Sequence, residues 1–246
     1  MTTPALAENV KGKGRHYRSN DGELVPSVTN VIGIMDKPAL PRWAANMVAQ
    51  RAMVLKHSLA NMDDNEVVDT LKSAPWSKSR RASDRGTDIH AYLEAKMNRW
   101  EPEDLSDDAI PFRDAADDWY EQVGASYEDV QTEVTMFHMG YAGTADVIAK
   151  RDGRWVIADF KTSKAIYDEA ALQLTALAGC HMLADGTPVP WRDEAGMMRG
   201  VWPELVVVRI GQDKWEEKVV ADPDNAIIAF YGLLEAWHWK HSKAYL

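Results

Sequence analysis

The chain has 246 residues, of which 46% are hydrophobic and 27% are charged. These fractions are typical of a folded globular protein and exclude a disordered, collagen-like or coiled-coil chain. Lys and Arg number 28 against 38 Asp and Glu, which gives a net charge of −10. No chain-wide basic surface therefore attracts polyanions, and any nucleic acid must be bound locally.

The length predicts one large domain, or a core with an added lobe. A single cysteine, Cys180, allows no internal disulfide and no cysteine-based zinc or iron–sulfur site. Residues 1–10 lack a basic segment followed by an apolar one, and no stretch approaches the ~20 apolar residues of a membrane helix. We expect a soluble cytoplasmic protein without a membrane partner.

The N-terminal half has the composition and periodicity of helices. Its predicted elements are, in chain order, a β-branched lead-in at 26–32, a helix from Pro41 to Leu55, a helix from Ser77 or Ser83 to Trp100, an acidic connection at 101–108 and a helix at 109–123. The first of these helices is expected to pack on the core.

After residue 125 the hydrophobic pattern changes to a period of two. The predicted elements are antiparallel strands at 130–136, 142–149 and 155–161, a helix at 163–183, a hairpin of strands at 205–210 and 215–220, and a last helix that starts at Asp222 or Asp224. This order predicts an α/β fold with a mixed central sheet flanked by helices. Residues 1–125 are predicted to form a lead-in and helical region, and residues 126–246 the core with the sheet, the hairpin and the last helix. We expect the two parts to make one compact unit.

Charged side chains fall at one end of the predicted hairpin. Asp159 and Lys161 share one face of their strand, and Phe160 points to the other face, because side chains alternate along a strand. Asp146 lies six residues before Asp152, and Asp159 lies six residues after Gly153. A two-residue turn at 152–153 therefore places the two carboxylates opposite each other.

Two neighbouring carboxylates repel each other unless they share a proton or a cation. A hard divalent ion accepts carboxylate and carbonyl oxygens, so this pair predicts a Mg²⁺ or Mn²⁺ site. Such an ion polarises a phosphoryl oxygen and lowers the pKa of bound water, while the Lys161 ammonium stabilises charge or orients the water. The set is typical of phosphodiester hydrolysis. Gly143, nearby, is unfavourable in a strand unless another group approaches its backbone closely.

Several short motifs occur in a fixed order along the chain, and they are Gly86-x-x-x-His90, Glu133, Gly143-x-x-Asp146, Asp159-x-Lys161 and Gln173. In this order they resemble the RecB-type branch of the PD-(D/E)xK nuclease superfamily, which includes phage-encoded exonucleases. The resemblance covers about 85–177, and the lead-in Pro26-Ser27-Val28-Thr29 also resembles that group. It implies a restriction-endonuclease-like core with an N-terminal helical region that carries the motif histidine.

The resemblance also implies roles for individual residues. Asp146 and Asp159 would bind the metal together with His90 and the backbone carbonyl of Phe160, and Lys161 would be catalytic. Many family members carry cysteines for an iron–sulfur cluster, and this chain, with one cysteine, is expected to lack it.

Three assignments stay open at this stage. Glu133 is either a site carboxylate or a solvent-facing residue, and His90 is either a ligand or an ordinary core or surface histidine. Gln173 would position the substrate, or it is an exposed helical glutamine. The family continues as Gln-x-x-x-Tyr, and here Leu177 stands at the tyrosine position.

A basic stretch with an exposed-type aromatic residue, Trp76, precedes the motif histidine. The candidates for binding substrate phosphates are Arg80, Arg81 and Arg85, with Lys164 flanking the hairpin. The alternative is a solvated helix start. The acid-rich segment 101–118 would repel DNA and is expected to face away from it.

The resemblance implies a metal-dependent DNA exonuclease that acts on single strands or free ends, in DNA processing or recombination. It would act in the cytoplasm of a bacterial or phage-infected cell, with a recombination protein as a further partner. Two alternatives remain, which are a non-catalytic DNA-binding or recombination-partner protein with a retained nuclease fold, and an endonuclease.

Overall fold

The computed structural model describes residues 6–19, 21–193 and 200–242. The strands are β1 Ala7–Val10, β2 Gly14–Arg18, β3 Leu24–Pro26, β4 Glu128–His138, β5 Tyr141–Arg151, β6 Arg154–Lys161, β7 Met182–Leu183, β8 Glu204–Ile210 and β9 Trp215–Val219. The helices are α1 Val28–Ile32, α2 Ala39–Leu59, α3 Asp64–Met97, α4 Arg113–Gln122, α5 Glu169–Ala178 and α6 Pro223–His241, with 3₁₀ turns at Ile110–Phe112 and Gly124–Ser126.

The main sheet has six strands within the described residues, in the order β7-β4-β5-β6-β8-β9. Its neighbouring strands are antiparallel except β6 and β8, which are parallel. Apolar side chains of α1, α5 and α6 pack on one face, and those of α4 and the C-terminal part of α3 pack on the other. The predicted mixed sheet flanked by helices is confirmed.

The β5–β6 hairpin forms in the predicted register. Arg151 pairs with Arg154, and the ladder continues to Val147 opposite Ala158. The turn residues Asp152 and Gly153 have φ of +52° and +75°. Both central residues of this two-residue turn therefore have positive φ, and an Asp-Gly pair tolerates that conformation better than most dipeptides.

The β-branched lead-in forms a helix. Ser27 caps the N-terminus of α1 by accepting a hydrogen bond from the Asn30 backbone N–H at 3.1 Å. Val28, Val31 and Ile32 are buried on one side of this short helix. Capping and burial at helical spacing outweigh the preference of β-branched residues for strands. Before α1, a small antiparallel sheet β1-β2-β3, which the sequence pattern did not predict, packs against β5.

The second predicted helix starts much earlier than expected, so its predicted start at Ser77 or Ser83 is wrong. Helix α3 begins at Asp64, continues through Pro75 and ends at Met97. Asp63 and Glu66 form a reciprocal capping box at its start. Such a box satisfies backbone donors that a helix end otherwise leaves unpaired.

Helix α2 does not pack on the core as expected. It has no buried residue, and it packs against α3, whose own buried residues lie only in its last part, from Ile89 onward. We call residues 39–85 the helical arm. No helix in the described ranges has the length and apolar character needed to cross a membrane.

The later elements differ from prediction mainly in their ends. The helix expected over 163–183 is shorter and covers Glu169–Ala178, because Gly179 ends it and β7 then pairs with β4. The hairpin of β8 and β9 is confirmed. Helix α6 starts after Asp222, whose carboxylate accepts a hydrogen bond from the Asn225 backbone N–H at 3.1 Å.

Candidate active site

The strand registers bring three carboxylates into one row. Val147 on β5 pairs with Thr132 on β4 and with Ala158 on β6. Extended by one position along the strands, the same registers place Glu133 of β4, Asp146 of β5 and Asp159 of β6 in one row. All three line one cleft of about 660 Å³. Asp146 and Asp159 are thus the residues next to the last paired positions of β5 and β6, and both line the same cleft.

The regular alternation of β5 slips at Asp146. Ala145 and Ile148 both pack in the core layer under α5 and α6, whereas Val147 packs in the layer under α3. Opposite this slip, Glu133 has a φ of +50°, which is uncommon for a residue with a side chain. The Asp146 carboxylate accepts a hydrogen bond from the Phe160 backbone N–H at 2.6 Å. The site thus lies at a local irregularity of the sheet.

Asp159, Lys161 and Gln173 form a closed set of contacts. The Lys161 Nζ lies 2.5 Å from Asp159 Oδ2 and donates to Gln173 Oε1 at 3.2 Å. The Gln173 Nε2 donates to Asp159 Oδ1 at 2.8 Å. Gln173, which projects from α5, therefore orients both charged groups, and its assignment to the site rather than to open solvent is the better interpretation.

Burial determines the protonation tendencies of the two aspartates. The Asp159 side chain is only 3% exposed, and this burial raises its pKa above the usual value despite the nearby Lys161 ammonium. Burial acts in the same sense on Asp146, but the neighbouring His90 outweighs it, so the pKa of Asp146 is lowered. The pKa of Lys161 is raised, because the attraction of both carboxylates exceeds the effect of its own burial.

His90 contacts the carboxylate row from α3. Its Nδ1 lies 3.4 Å from Asp146 Oδ2, and its ring meets the Phe160 ring edge-on at 5.9 Å. Burial alone lowers the pKa of His90, but the Asp146 carboxylate outweighs burial and raises it to about 9. The Asp146 carboxylate therefore favours the protonated form of His90, whereas a metal ligand must be the neutral imidazole.

Glu133 lies at the mouth of the cleft. Partial desolvation there, together with the charges of Asp146 and Glu94, raises its pKa to about 7. Glu133 lines the cleft and is itself exposed, so it is a solvent-facing residue of the cleft wall, and its role as a site carboxylate stays a prediction. Phe160 points away from the row, as alternation predicts, and its ring packs against Trp119 at 5.1 Å.

The predicted substrate-binding cations lie outside this cleft lining. Arg80 and Arg81 are exposed on α3, and Lys164 is exposed in the segment after β6. Arg85 is half-buried, with its guanidinium 4.8 Å above the Phe112 ring. These four residues do not converge on the carboxylates, and their role in binding stays a prediction.

The acidic segment does not face away from the site. Glu101, Glu103 and Asp104 all line the cleft, so the expected orientation of residues 101–118 is wrong for this part. The segment folds back because Leu105 and Ala109 are buried against α3 and α4. Sequence reasoning also missed Arg15, which lines the same cleft from β2.

The donor set fits a hard divalent cation better than a soft one, because it consists of carboxylate oxygens with a backbone carbonyl and one imidazole. Asp159 Oδ2 is buried and lacks a hydrogen bond of normal geometry. Within the described ranges, however, no three His, Cys, Asp or Glu side chains are grouped as a ready metal cage. Asp146 is turned to His90 and Asp159 to Lys161, so a metal would have to replace these ion pairs.

No model of a protein family matches the chain, and no curated protein matches it. Among solved structures, it is similar to one described as the crystal structure of SSO0001. The two chains are 16% identical, the match covers 64% of this chain and 75% of that one, and the TM-score is 0.32. At this identity and score the likeness carries no argument about fold or function.

Proposed function

We propose that the protein is a Mg²⁺- or Mn²⁺-dependent deoxyribonuclease of the RecB-type PD-(D/E)xK superfamily, with a restriction-endonuclease-like core. It hydrolyses phosphodiester bonds of cytoplasmic DNA as an exonuclease, in DNA processing or recombination. The observation that carries this proposal is the direct contact of Lys161 with Asp159, one strand away from Asp146, at the floor of a single open cleft.

The site residues have two roles, which are metal binding and stabilisation of negative charge. Asp146, Asp159 and the Phe160 carbonyl would hold the metal, with His90 in its neutral form as a further ligand. When bound, the metal polarises the phosphoryl group and lowers the pKa of its water. Lys161 supplies a cation for the negative charge that develops on the phosphate, and Gln173 keeps its ammonium directed into the site.

The charge distribution of the helical arm supports a nucleic-acid substrate. Residues 39–59 contain three Arg or Lys and residues 70–83 contain four, while neither range contains an Asp or Glu. Residues 60–69 between them contain four Asp or Glu, so the whole arm has eight Arg or Lys against five Asp or Glu. In a chain with a net charge of −10, this positive excess can bind phosphates locally. Trp76, which is 77% exposed on α3, offers a face for base stacking.

The decisive experiment incubates end-labelled linear single and double strands with the purified protein in Mg²⁺, Mn²⁺ or EDTA. We expect cleavage from the ends with either metal and none in EDTA. Asp159→Asn and Lys161→Ala should lose cleavage by at least about a thousandfold, since each removes a group that acts on the reacting phosphate. Retained activity in either folded variant would refute the mechanism.

A matched control is available on the same sheet. Asp129 forms an exposed ion pair with Lys150 at 2.7 Å, so Asp129→Asn removes an Asp–Lys contact outside the cleft and should leave cleavage unchanged. DNA binding without cleavage by the wild-type protein would instead identify a non-catalytic DNA-binding or recombination-partner protein. Cleavage of circular as well as linear DNA would identify an endonuclease.

A further inference from the structure

One cation of the cleft forms no direct ion pair with another described residue. Arg15 lines the cleft from β2 and is half-buried. Its guanidinium forms no hydrogen bond or ion pair with any residue in the described ranges. Its charge acts at a distance on Glu133, whose raised pKa it moderates, and a half-buried charge without direct contacts is unfavourable unless a ligand or solvent compensates it.

The surroundings make this cation unusual. The described residues that line the cleft include eight Asp and Glu side chains but, besides His90, only Arg15 and Lys161 as cations. Lys161 is already paired with Asp159. An anionic DNA strand that enters such a cleft is repelled unless positive charge meets it, and Arg15 is the side chain that remains available.

The backbone of Arg15 is held firmly. Its carbonyl oxygen accepts hydrogen bonds from the Asn30 Nδ2 at 2.7 Å and from the Ser27 backbone N–H at 3.1 Å. Two residues along the same strand, the Tyr17 hydroxyl bonds the Thr144 hydroxyl of β5 at 3.0 Å. Strand β2 is thus held both to the lead-in and to the strand that carries Asp146, so the backbone from which Arg15 projects has a fixed place beside the cleft.

We propose that Arg15 binds a DNA phosphate that is adjacent, along the strand, to the phosphate at which the strand is cleaved. The inference rests on the proposed nuclease function and adds a substrate-binding residue to it. A guanidinium suits this role because its planar donors match two phosphate oxygens. A contact to phosphate alone carries no base information, so Arg15 strengthens binding equally for all sequences.

The test compares Arg15→Gln and Arg15→Lys with the control Arg18→Gln. Arg18 lies on the same strand but is exposed and paired with Glu8 at 2.7 Å, outside the cleft. Each change is placed in an Asp159→Asn background, where cleavage is blocked, and binding of a single-stranded oligonucleotide is measured by fluorescence anisotropy over a range of salt concentrations in Mg²⁺.

Arg15→Gln should weaken binding about tenfold and reduce the slope of log K against log salt by about 0.7, the value for one phosphate contact on a single strand. Arg15→Lys should keep the slope and lose only part of the affinity, because it retains the charge but not the planar fork. If Arg15→Gln matches Arg18→Gln in both affinity and slope, the inference is wrong.

Kinetics in the active protein separate this inference from the proposed function. Arg15→Gln should raise KM about tenfold and leave kcat within about twofold, as expected for lost binding to substrate and transition state alike. Cleavage with an unchanged KM would overturn the role of Arg15 and leave the nuclease proposal intact. An Arg15-dependent salt slope in a protein that cleaves nothing would support the role of Arg15 and overturn hydrolysis.

Discussion

The packing around Gly143 makes a quantitative prediction possible. Gly143 lies on β5, three residues before Asp146, and a Cβ at this position would stand 2.7 Å from Leu177 Cδ2 and 3.1 Å from Val28 Cγ2. Leu177 and Val28 are both buried, at 1% and 2% exposure, so a methyl group at residue 143 would push both side chains out of their packed positions. A glycine at this point is therefore required by the close approach of α5 and α1 to the strand.

Gly143→Ala should destabilise the protein by about 1 to 2 kcal/mol. Overpacking of a filled core costs about 1 to 3 kcal/mol, and the loss of backbone freedom in the unfolded chain offsets about 0.4 to 1 kcal/mol of this. Leu177→Ala alone should cost about 2 to 5 kcal/mol, because it leaves a cavity. In the double variant the new methyl group occupies part of that cavity.

The assay is a double-mutant cycle by urea denaturation. The double variant should be more stable than the sum of the single effects predicts, by about 1 to 2 kcal/mol. Gly86→Ala is the control, because its Cβ would meet only Thr162 Oγ1, at an ordinary 3.4 Å, and it should stabilise α3 by about 0.5 to 1 kcal/mol. Additivity of Gly143→Ala and Leu177→Ala within about 0.5 kcal/mol would refute the packing argument.

Three further predictions concern pH, the helical arm and metal. Burial lowers the pKa of His138 to about 4, and its Nδ1 accepts a hydrogen bond from the Gly140 N–H. Below the ordinary histidine pKa of ~6.5, the unfolded chain therefore binds a proton at His138 that the folded protein does not bind. The free energy of unfolding should therefore fall as pH drops from 7 to 5. This fall should exceed the fall in His138→Phe by at most about 2 kcal/mol. Equal slopes of the free energy of unfolding against pH in the two proteins would contradict the prediction. Asp63→Ala removes the cap of α3 and should destabilise the start of the helix by about 1 kcal/mol. The effect should be measured as faster backbone amide exchange from Asn65 onward. Unchanged exchange rates would exclude a role for the cap. Mn²⁺ at 100 times its Kd should stabilise the wild-type protein by about 2.7 kcal/mol in thermal unfolding, and an equal gain in Asp146→Asn would place the ion elsewhere.

The β5–β6 hairpin could be predicted because local rules determine it. An Asp-Gly turn sets the loop length, and the period of two sets the faces, so the opposition of Asp146 and Asp159 follows from counting along the chain. The close approach at Gly143 was also predictable, since a glycine inside a strand has little other reason to be there. The partners that approach it, from α1 and α5, were not.

The unpredicted features depend on contacts between distant parts of the chain. Strand β2 has no strong alternation of its own, and its place against β5 depends on the Tyr17–Thr144 hydrogen bond and on burial of Tyr17. Arg15 could therefore not be assigned to the cleft from sequence. The start of α3 was a different kind of error, because the capping pair Asp63 and Glu66 is a local signal that Pro75 obscured.

The packing connects the lead-in with the strand that carries Asp146, although Ser27 and Asp146 are more than a hundred residues apart in the chain. Ser27 both caps α1 and holds the Arg15 carbonyl through its backbone N–H. The next residue, Val28, fills the space that Gly143 leaves open, beside Leu177 of α5. Helix α5 in turn carries Gln173, which contacts Asp159 and Lys161. A change at the lead-in should therefore disturb the row of Glu133, Asp146 and Asp159 through β5 and α5, before it affects the helices on the opposite face of the sheet.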